Sequence, residues 1–564
     1  MQLLGKSNRS TVQRLLLTCF VICIAVFLRT WQFSDIPSTP YIDEVAMLVD
    51  AKALVATGSD MHGNHWLQAL FPSYGDYKLP LYIWFASLFS AVLGPSAFTI
   101  RLPSLLAGLL TLLLAGVLLW NIVSVSYARR KSSFLAYLSA LVVVGLSPWA
   151  IQFSRTGFEA HVGQLFLGVS LYFLFVSKKR WEYYLLSALV AAVATYTYFS
   201  VRYVWAPVFL VCYLLQPGLF SKPLGVSKTV IVSRILKGVL PLVLFGILLL
   251  PMLKSPLYVD SMQFRLSTPS VLQNTEQIVR ANEYRAQAGG SIVDRLVFHR
   301  YYFTAQSFFK NLSEQLSLSF FFVSGDVNLR HGTGVFGLFL LPFIVPYFVG
   351  WYQLIKRNWR ISAVIAVWIF SAAVPAAIPH EVPHALRFLN ALLPISLVIA
   401  LGLYEILLYS LEKKQAFLKR MILAAVSVVL IVFSVGRYTT YYFGVYPERS
   451  AESWDRSKTE LATALSPYLN EQRTVYLVGL PDKMYLWLLA YGPYSGSEFQ
   501  YWQSNGYQFD TMGDVQVGSS ELDVGDRVVV SQSAYTPSLK ERVTELQKIA
   551  VSDGQLFFVL EVVE

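Results

Sequence analysis

The sequence is poor in charged residues, and this deficit excludes an ordinary soluble protein. Only 14% of its 564 residues are charged, whereas 55% are hydrophobic. Soluble domains carry roughly 25% charged residues. A helix that crosses a bilayer needs about 20 mostly apolar residues, and many segments of this chain are long and apolar enough. The composition therefore predicts an α-helical, multi-spanning membrane protein.

Cysteine is scarce, and a cleavage site for a signal peptide is missing. The three cysteines all lie in apolar segments, without the spacing of a disulfide framework or a zinc site. The first apolar run, Leu15 to Leu28, is followed by Arg29-Thr30-Trp31 and not by small residues. We therefore expect an uncleaved first helix with its N-terminus in the cytoplasm.

The net charge of +11 does not indicate nucleic-acid binding, because the basic residues form short runs between apolar segments. Such runs are typical of cytoplasmic loops. Placing them in the cytoplasm predicts about eleven transmembrane helices and a C-terminus outside. These spans lie near 12–30, 98–121, 133–150, 161–177, 181–199, 201–216, 236–253, 333–355, 361–379, 388–410 and 420–436.

Residues 79–121 hold two apolar stretches that are split by Gly94-Pro95-Ser96. Two crossings there would place Arg129-Arg130-Lys131 outside the cytoplasm, against the positive-inside rule. We therefore expect an interfacial or re-entrant segment at 80–94.

This topology divides the chain into a transmembrane domain, 1–436, and an extracytoplasmic α/β domain, 437–564. The transmembrane domain carries two extracytoplasmic loops, 31–79 and 254–332. In the first loop, 43–57 has helical apolar spacing and ends at Gly58, which predicts an amphipathic helix on the membrane surface. The second loop holds a candidate helix at 273–288. Strands are predicted at 474–478, 527–531 and 557–561.

Asp43 and Glu44 are adjacent carboxylates just beyond the first span. Acids at a helix start interact favourably with the helix dipole, which is one explanation for the pair. The other is a general base or a substrate-orienting carboxylate at the membrane face, with its basicity raised by partial desolvation.

Lys78 precedes Leu79-Pro80 and an aromatic-rich apolar stretch. It is either an interfacial lysine whose stem follows the apolar surface or a cation for a lipid phosphate.

Arg155 and Glu159 lie four residues apart at the predicted outer mouth between two spans. If helical, they share a face and could form an ion pair. Alternatively, Glu159 supplies a second acid opposite the first loop.

Two later clusters add cations on the same predicted side. Arg330-His331-Gly332 leads into one span, and its glycine allows backbone N–H groups to approach an anion. His384 and Arg387 open another span. An ordinary interfacial loop explains each cluster equally well. The histidines do not have the spacing of a known zinc motif, so no metal is expected.

All these clusters face outward on the predicted topology, so two acids would meet several guanidinium groups and a lysine at one membrane face. Arg binds phosphate bidentately, and Lys binds it as a point charge. A lipid-linked phosphate donor requires such a set.

The chain resembles GT-C glycosyltransferases of the protein O-mannosyltransferase and aminoarabinose transferase type (glycosyltransferase family 39/83) from the first helix to about residue 410. The resemblance is carried by Asp43-Glu44, Lys78-Leu79-Pro80-Leu81-Tyr82, Arg101-Leu102-Pro103-Ser104 and Ser154-Arg155 with Glu159. The family often has Pro where Leu79 stands and Asp where Glu159 stands.

The resemblance implies an inverting transferase that takes a sugar from a polyprenyl-phosphate donor to a lipid, glycan or protein hydroxyl outside the cytoplasm. It implies that Asp43 is the catalytic base, with Glu44 and Glu159 as further acids. Lys78, Arg330 and Arg387 would hold the leaving phosphate, and Arg155, His331 and His384 complete the predicted donor-phosphate set. No cofactor is implied, and a divalent metal is not expected. The expected location is the plasma membrane.

Two other functions remain open from the residues. A transporter or flippase for a lipid-linked glycan would place ionisable residues near the bilayer midplane, within repeats. A non-catalytic envelope protein would bind a glycolipid without transferring its sugar.

Overall fold

The chain forms two compact units, described by a computed structural model. The first unit comprises Met1–Trp31 and Ser104–Gly444, and the second comprises Gln32–Pro103 and Val445–Glu564. The described residues are 2–126, 133–176, 180–215, 228–267, 269–411, 417–469, 475–494, 498 and 522–564. Several residues of the predicted cytoplasmic runs lie outside this described part, namely 129–131, 178–179, 222 and 413–414.

The named secondary-structure elements of the first unit are all helices in its described residues, joined by irregular connections. Its helices are α1 Gln2–Thr30, α4 Ala97–Ser126 (from Ser104 onward), α5 Ser133–Gly145, α6 Pro148–Ser154, α7 Glu159–Val176, α8 Glu182–Thr195, α9 Val201–Leu214, α10 Lys228–Leu253, α11 Leu257–Ser267, α12 Glu276–Ala288, α13 Ile292–Val297, α14 Arg300–Gln315, α15 Leu318–Phe322, α16 Ile344–Arg357, α17 Trp359–Ala377, α18 Leu392–Leu411 and α19 Phe417–Gly444. Short 3-10 turns, Leu341–Phe343 and Leu389–Ala391, precede α16 and α18.

Seven of the described helices are long and apolar enough to cross a membrane, or eight if the bent pair α5 and α6 is one span. The seven candidate segments are Thr11–Thr30, Ala97–Ser124, Glu159–Val176, Val232–Leu253, Trp359–Ala377, Leu389–Ser410 and Ala425–Gly444. Many apolar side chains of α1, such as Leu15, Leu16 and Phe20, are exposed. The prediction of a multi-pass integral membrane protein is confirmed.

The predicted count of eleven spans is not confirmed. The helices α8 and α9 have only 14 residues each, and 14 residues reach about 21 Å at 1.5 Å each, against a core of about 30 Å. The predicted span 333–355 becomes helical only near Leu341, because Gly332, Gly334 and Gly337 precede it in an irregular segment. The predicted span 133–150 is broken after Gly145, where α5 and α6 meet at 66°.

The helices α16 and α18 approach each other closely at two glycines. A Cβ atom on Gly350 would lie 1.9 Å from the carbonyl oxygen of Val398, and one on Gly402 would lie 1.8 Å from that of Pro346. Small residues permit this kind of contact between membrane helices. The contact fixes two helices whose N-terminal connections, 324–340 and 378–391, carry the predicted histidine clusters.

The second unit combines helices with two small sheets. Its helices are α2 Ile42–Thr57, α3 Pro80–Leu93, the start of α4, α20 Tyr446–Arg449, α21 Arg456–Leu469, α22 Met484–Tyr491 and α23 Pro537–Lys540. Short 3-10 turns lie at Ala451–Trp454 and Gln532–Ala534. Its strands are β1 Phe71–Pro72, β2 Tyr77–Lys78, β3 Val475–Val478, β4 Arg527–Ser531, β5 Val543–Ala550 and β6 Leu556–Val562.

The four C-terminal strands form one sheet in the order β3-β4-β6-β5. The strands β3 and β4 are parallel, and the other neighbours are antiparallel. The strand β4 is buried along its whole length, as a central strand requires. The three predicted strands and the predicted C-terminal sheet domain are confirmed. The strand β5 was missed because most of its side chains are polar and exposed.

The helix α2 has nearly the predicted bounds, and it ends at Gly58 in the left-handed conformation. Its predicted position on the membrane surface is wrong. Nine of its 16 residues are buried, and Val45 and Val49 share one hydrophobic cluster with Leu465 and Leu486 of α21 and α22. Apolar residues at helical spacing cover a protein core as readily as a bilayer surface. The first loop therefore belongs to the same compact unit as the C-terminal sheet.

Candidate functional site

The Asp43 carboxylate lies in the first turn of α2, facing the hairpin made by β1 and β2. It accepts hydrogen bonds from the Tyr74 hydroxyl and the Lys78 ammonium group. Lys78 also donates to Oδ2 of Asp76 at 2.8 Å. The register of the hairpin pairs Phe71 with Lys78, so the turn between the strands holds Tyr74 and Asp76. The Asp43 side chain is 26% exposed, whereas that of Lys78 is only 6% exposed.

The electrostatics of Asp43 differ from the sequence prediction. Burial favours the neutral acid, but the adjacent Lys78 charge and the hydrogen bonds from Lys78 and Tyr74 outweigh it and lower the pKa of Asp43 to about 2. The prediction that desolvation raises the basicity of this carboxylate is therefore wrong for the free protein. Asp43 is fully ionised at neutral pH.

Glu44 has a different environment from Asp43, although the two residues are adjacent. Its carboxylate is 0% exposed and accepts from Nε and Nη2 of Arg101 at 2.9 and 3.1 Å. Arg101 also donates to the carbonyl oxygens of Pro37 and Thr39 at 3.0 and 2.8 Å. This buried pair ties the start of α2 to the preceding loop. The geometry favours a positioning role for Glu44 over the predicted catalytic one.

A third carboxylate of α2, Asp50, is buried seven residues after Asp43. Its Oδ1 accepts from the Met61 backbone N–H at 3.2 Å, and its Oδ2 has no hydrogen-bond partner among the described residues. Burial raises the pKa of Asp50 well above its usual value, and the nearby negative charge of Asp60 raises it further. The helix therefore carries one carboxylate that stays ionised and one that keeps its proton more readily.

In the first unit, Arg155 and Glu159 do not share one helix. The helix α6 ends at Ser154 and α7 begins at Glu159, so the predicted i, i+4 spacing does not apply. Arg155 is fully buried, donates to the Leu28 carbonyl at 3.3 Å, and lies over the Tyr442 ring at 5.6 Å. Its predicted phosphate-binding role stays a prediction, as does the catalytic role of Glu159.

The two histidine clusters of the first unit meet. The rings of His331 and His384 are 4.5 Å apart, and Oδ2 of Asp326 lies 3.5 Å from Nδ1 of His331. The three side chains are all more than nine-tenths buried. The Asp326 carboxylate is held in place by the backbone N–H groups of Asn328 and Ala385, at 2.9 and 2.7 Å.

Two guanidinium groups accompany this cluster. Nη1 of Arg387 is buried and has no hydrogen-bond partner in the described part of the chain. The backbone N–H of Arg387 donates to Nδ1 of His384 at 3.3 Å. Burial lowers the pKa of His384 well below its usual value, and the charges of His331, Arg387 and Arg330 lower it further. Two guanidinium groups therefore accompany the histidine pair beside the Asp326 carboxylate, and they would offset the charge of an anion bound there.

The backbone N–H groups near Gly332 do not point to a free anion site. Those of His331 and Gly332 both donate to the Asn328 carbonyl, at 2.9 and 3.2 Å. Instead, Gly332 packs tightly, because a Cβ there would lie 3.3 Å from the Asp326 carbonyl oxygen. The glycine thus lets the loop fold back beside Asp326.

The structure brings together some of the predicted residues within each unit. Asp43 and Lys78 pair in the second unit, and His331, His384, Arg387 and Arg330 cluster in the first. The sequence analysis missed Tyr74, Asp76 and Asp326. The proximity of Tyr74 and Asp76 to Lys78 in the sequence was an available signal. Asp326 lies five residues before His331, so the same signal was available for that pair, but no known motif links either residue to His384, which is 58 residues from Asp326.

Comparisons with known proteins agree with these observations. Residues 77–245 match the model of the dolichyl-phosphate-mannose-protein mannosyltransferase family. A comparison with curated protein sequences found no match.

Among solved structures, ArnT from Cupriavidus metallidurans in the apo state is 12% identical, with 98% of both chains covered and a TM-score of 0.54. The structure of the same protein bound to undecaprenyl phosphate is also 12% identical, with 98% of both chains covered and a TM-score of 0.50. An oligosaccharyltransferase from Archaeoglobus fulgidus is 11% identical over 96% of this chain and 72% of that chain, with a TM-score of 0.49.

The family match of residues 77–245 fits the predicted glycosyltransferase and not a transporter or flippase. The predicted fold is confirmed: the chain has the GT-C fold of ArnT, and over residues 77–245 it is similar in sequence to the dolichyl-phosphate-mannose-protein mannosyltransferases.

Proposed function

We propose that the chain is a membrane glycosyltransferase that moves a sugar from a polyprenyl-phosphate donor to a hydroxyl acceptor outside the cytoplasm. The observation that carries this proposal is the match of residues 77–245 to a family whose description names a dolichyl-phosphate-mannose donor. The ArnT fold supports it, because ArnT has been crystallised with undecaprenyl phosphate. The acceptor hydroxyl belongs to a lipid, a glycan or a protein.

Asp43 is the proposed general base. Its carboxylate is ionised and is partly exposed, unlike that of Glu44. The acceptor hydroxyl gives its proton to Asp43, and its oxygen attacks the anomeric carbon of the sugar. The bond from that carbon to the phosphate oxygen breaks, and the electron pair leaves with the polyprenyl phosphate. One displacement of this kind inverts the anomeric configuration.

Lys78 is proposed to contact both the base, Asp43, and the phosphate of the donor. Its ammonium group is shared between Asp43 and Asp76. If a donor phosphate draws Lys78 away from Asp43, burial acts on that carboxylate with less opposition. Asp43 then becomes a stronger base when the donor is bound. The same lysine therefore has the phosphate-binding role that the sequence predicts and controls the basicity of Asp43.

In the first unit, Arg387 is proposed to bind a phosphate group, with Arg330 as a second cation. A buried guanidinium N–H without a partner has a high desolvation cost, which a phosphate oxygen would offset. His331 and His384 belong to the same cluster as this guanidinium group. Arg155 is held by Leu28 and aromatic rings, so we propose that it maintains the local fold.

The proposed location is the plasma membrane, with the N-terminus in the cytoplasm and the reaction on the opposite side. The positive-inside distribution of the basic runs supports this orientation.

The test is transfer of a labelled sugar from a synthetic polyprenyl-phosphate donor by the purified protein in liposomes, with total membrane lipid, glycan and protein as acceptors. Asp43→Asn should reduce transfer by roughly 100-fold to 10,000-fold, as expected for loss of a general base. The matched control is Asp35→Asn, which changes an exposed carboxylate of the same loop and should leave transfer unchanged.

Thermal unfolding of both variants separates a chemical defect from misfolding. Full transfer by folded Asp43→Asn protein would exclude the proposed base. Absence of transfer by the wild type with every polyprenyl-phosphate sugar would exclude the proposed function.

A further inference from the structure

The Asp326, His331 and His384 side chains converge in the first unit although they come from two separate connections. One carboxylate oxygen and one ring nitrogen from each histidine lie within 4.8 Å of one another. Burial of such a polar set is costly unless each group finds a partner. Nδ1 of His331 is buried without a hydrogen-bond partner among the described residues. The cluster therefore has an unmet requirement for a donor or for a cation.

The donor set suits a divalent transition metal. Two imidazoles and one carboxylate are ligands of zinc sites that keep an open coordination position. Zinc–ligand distances of about 2.0–2.2 Å place tetrahedral ligand atoms about 3.3 Å apart. The present spacing of up to 4.8 Å is wider than this, so binding requires the three side chains to rotate toward the ion.

The surroundings supply the support that a metal site needs. Two backbone N–H groups orient the Asp326 carboxylate, and groups of this kind commonly fix metal ligands. The backbone N–H of His384 donates to Oε1 of Gln315 at 2.9 Å, which anchors the second connection. The carboxylate of Glu381 lies 4.0 Å from Nε2 of His384 and adds a negative charge.

We propose that Asp326, His331 and His384 bind one divalent transition metal ion of the zinc type. An open coordination position would remain for an anion or water, and Arg387 lies three residues from His384 to share such an anion. The metal site itself does not depend on the proposed glycosyltransferase function. It opposes the expectation from the sequence that no metal is involved.

The test is zinc binding to the full chain, purified with an affinity tag free of histidine and treated with a chelator. Elemental analysis after equilibrium dialysis should find one tightly bound zinc ion per wild-type chain. Asp326→Asn and His331→Gln should each weaken binding at least tenfold, the lower end of the effect known for outer-shell changes. The matched control, His65→Gln, changes an exposed histidine and should bind as the wild type does.

Cobalt spectroscopy tests the ligands even if a variant is unstable. Wild-type protein loaded with Co²⁺ should show visible absorption bands of low-symmetry coordination. In His331→Cys, a new near-ultraviolet thiolate-to-cobalt band should appear, and in His65→Cys it should not.

The proposal is overturned if the folded wild type binds no stoichiometric zinc or cobalt, or if the Asp326 and His331 variants bind zinc as the wild type does. Sugar transfer is not part of this readout, so the two proposals fail independently.

Discussion

The region around Asp43 and the region around His384 satisfy their charges in opposite ways. At Asp43, the Lys78 ammonium group is bonded to two carboxylates, those of Asp43 and Asp76. At His384, Nη1 of Arg387 and Nδ1 of His331 are buried without hydrogen-bond partners among the described residues. A ligand must break an existing ion pair in the first region, whereas in the second it would supply missing partners.

This difference suggests that the first region responds to substrate charge and that the second binds a ligand. A carboxylate that is held ionised by a movable lysine can respond to a substrate charge. Buried polar groups without partners are already close to a ligand's position, and so they contribute binding energy with little rearrangement. Four predictions test this contrast, from the largest expected effect to the smallest.

Arg101→Met should destabilise the second unit most strongly. It leaves the Glu44 carboxylate buried without its cation, and breaking a buried pair in this way costs about 3–5 kcal/mol. Thermal unfolding in detergent should show a clearly lower midpoint. The double variant Glu44→Gln/Arg101→Met removes the stranded charge and should recover part of the loss. An unchanged midpoint in Arg101→Met would contradict the positioning role that separates Glu44 from Asp43.

Arg387→Gln should weaken the binding of undecaprenyl phosphate, used as a probe for the donor. Loss of a charge-assisted hydrogen bond costs about 1.5–3 kcal/mol, which is roughly a 10-fold to 100-fold change in affinity. Arg387→Lys keeps the charge and should lose less. Equilibrium binding to proteoliposomes measures the effect, with exposed Arg300→Gln as the control. Equal affinity in all variants would show that the buried guanidinium has another purpose.

Lys78→Gln should change the pH dependence of sugar transfer. Without the lysine charge, burial dominates, and the pKa of Asp43 rises from about 2 to above the usual value of about 4. The carboxylate then protonates at higher pH, so transfer should fall on the acid side where the wild type is still active. Rates between about pH 4 and pH 8 measure this shift.

The control for that profile is Lys483→Gln. Lys483 donates to the Tyr74 carbonyl at 3.0 Å and lies over the Tyr74 ring. It is a nearby lysine that is not among the described hydrogen-bond donors to Asp43, so its loss should leave the acid limb in place. An acid limb that stays in place in Lys78→Gln would show that Lys78 does not set the basicity of Asp43.

Asp50→Asn should have the smallest effect, and it should be stabilising at neutral pH. Because folding raises the pKa of Asp50, the folded state holds a proton that the unfolded chain loses above about pH 4. The stability contributed by this group therefore falls as pH rises. Removing the charge should raise the unfolding midpoint by a few degrees at most, a change of about 1 kcal/mol, and flatten its dependence on pH. A lower midpoint would indicate that Asp50 is ionised in the fold.

Local sequence signals predicted much of this molecule. Gly58 and the apolar spacing predicted the end of α2, and short runs rich in valine and aromatic residues predicted β3, β4 and β6. Asp43 and Lys78 were singled out from their neighbours alone. The surroundings of α2 could not be predicted, because a membrane surface and a protein core select the same apolar stripe.

Contacts between residues that are distant in the sequence were the main feature that could not be predicted. The ion pair of Glu44 with Arg101 spans 57 residues, and the cluster of Asp326 with His384 depends on how two connections fold together. The prediction that Arg155 and Glu159 share one helix was wrong, because the helix is interrupted between the end of α6 and the start of α7. The segments 181–199 and 201–216 were predicted as full spans, but the helices α8 and α9 that form there have only 14 residues each.

The most direct test of the central claim is mass spectrometry of the lipid that co-purifies with Asp43→Asn protein. This variant should bind the donor without consuming it, so a polyprenyl-phosphate sugar should be enriched over the wild type. Its mass would also identify the sugar and the prenol. If only ordinary membrane phospholipids are found with both proteins, the account of a polyprenyl-phosphate donor is contradicted.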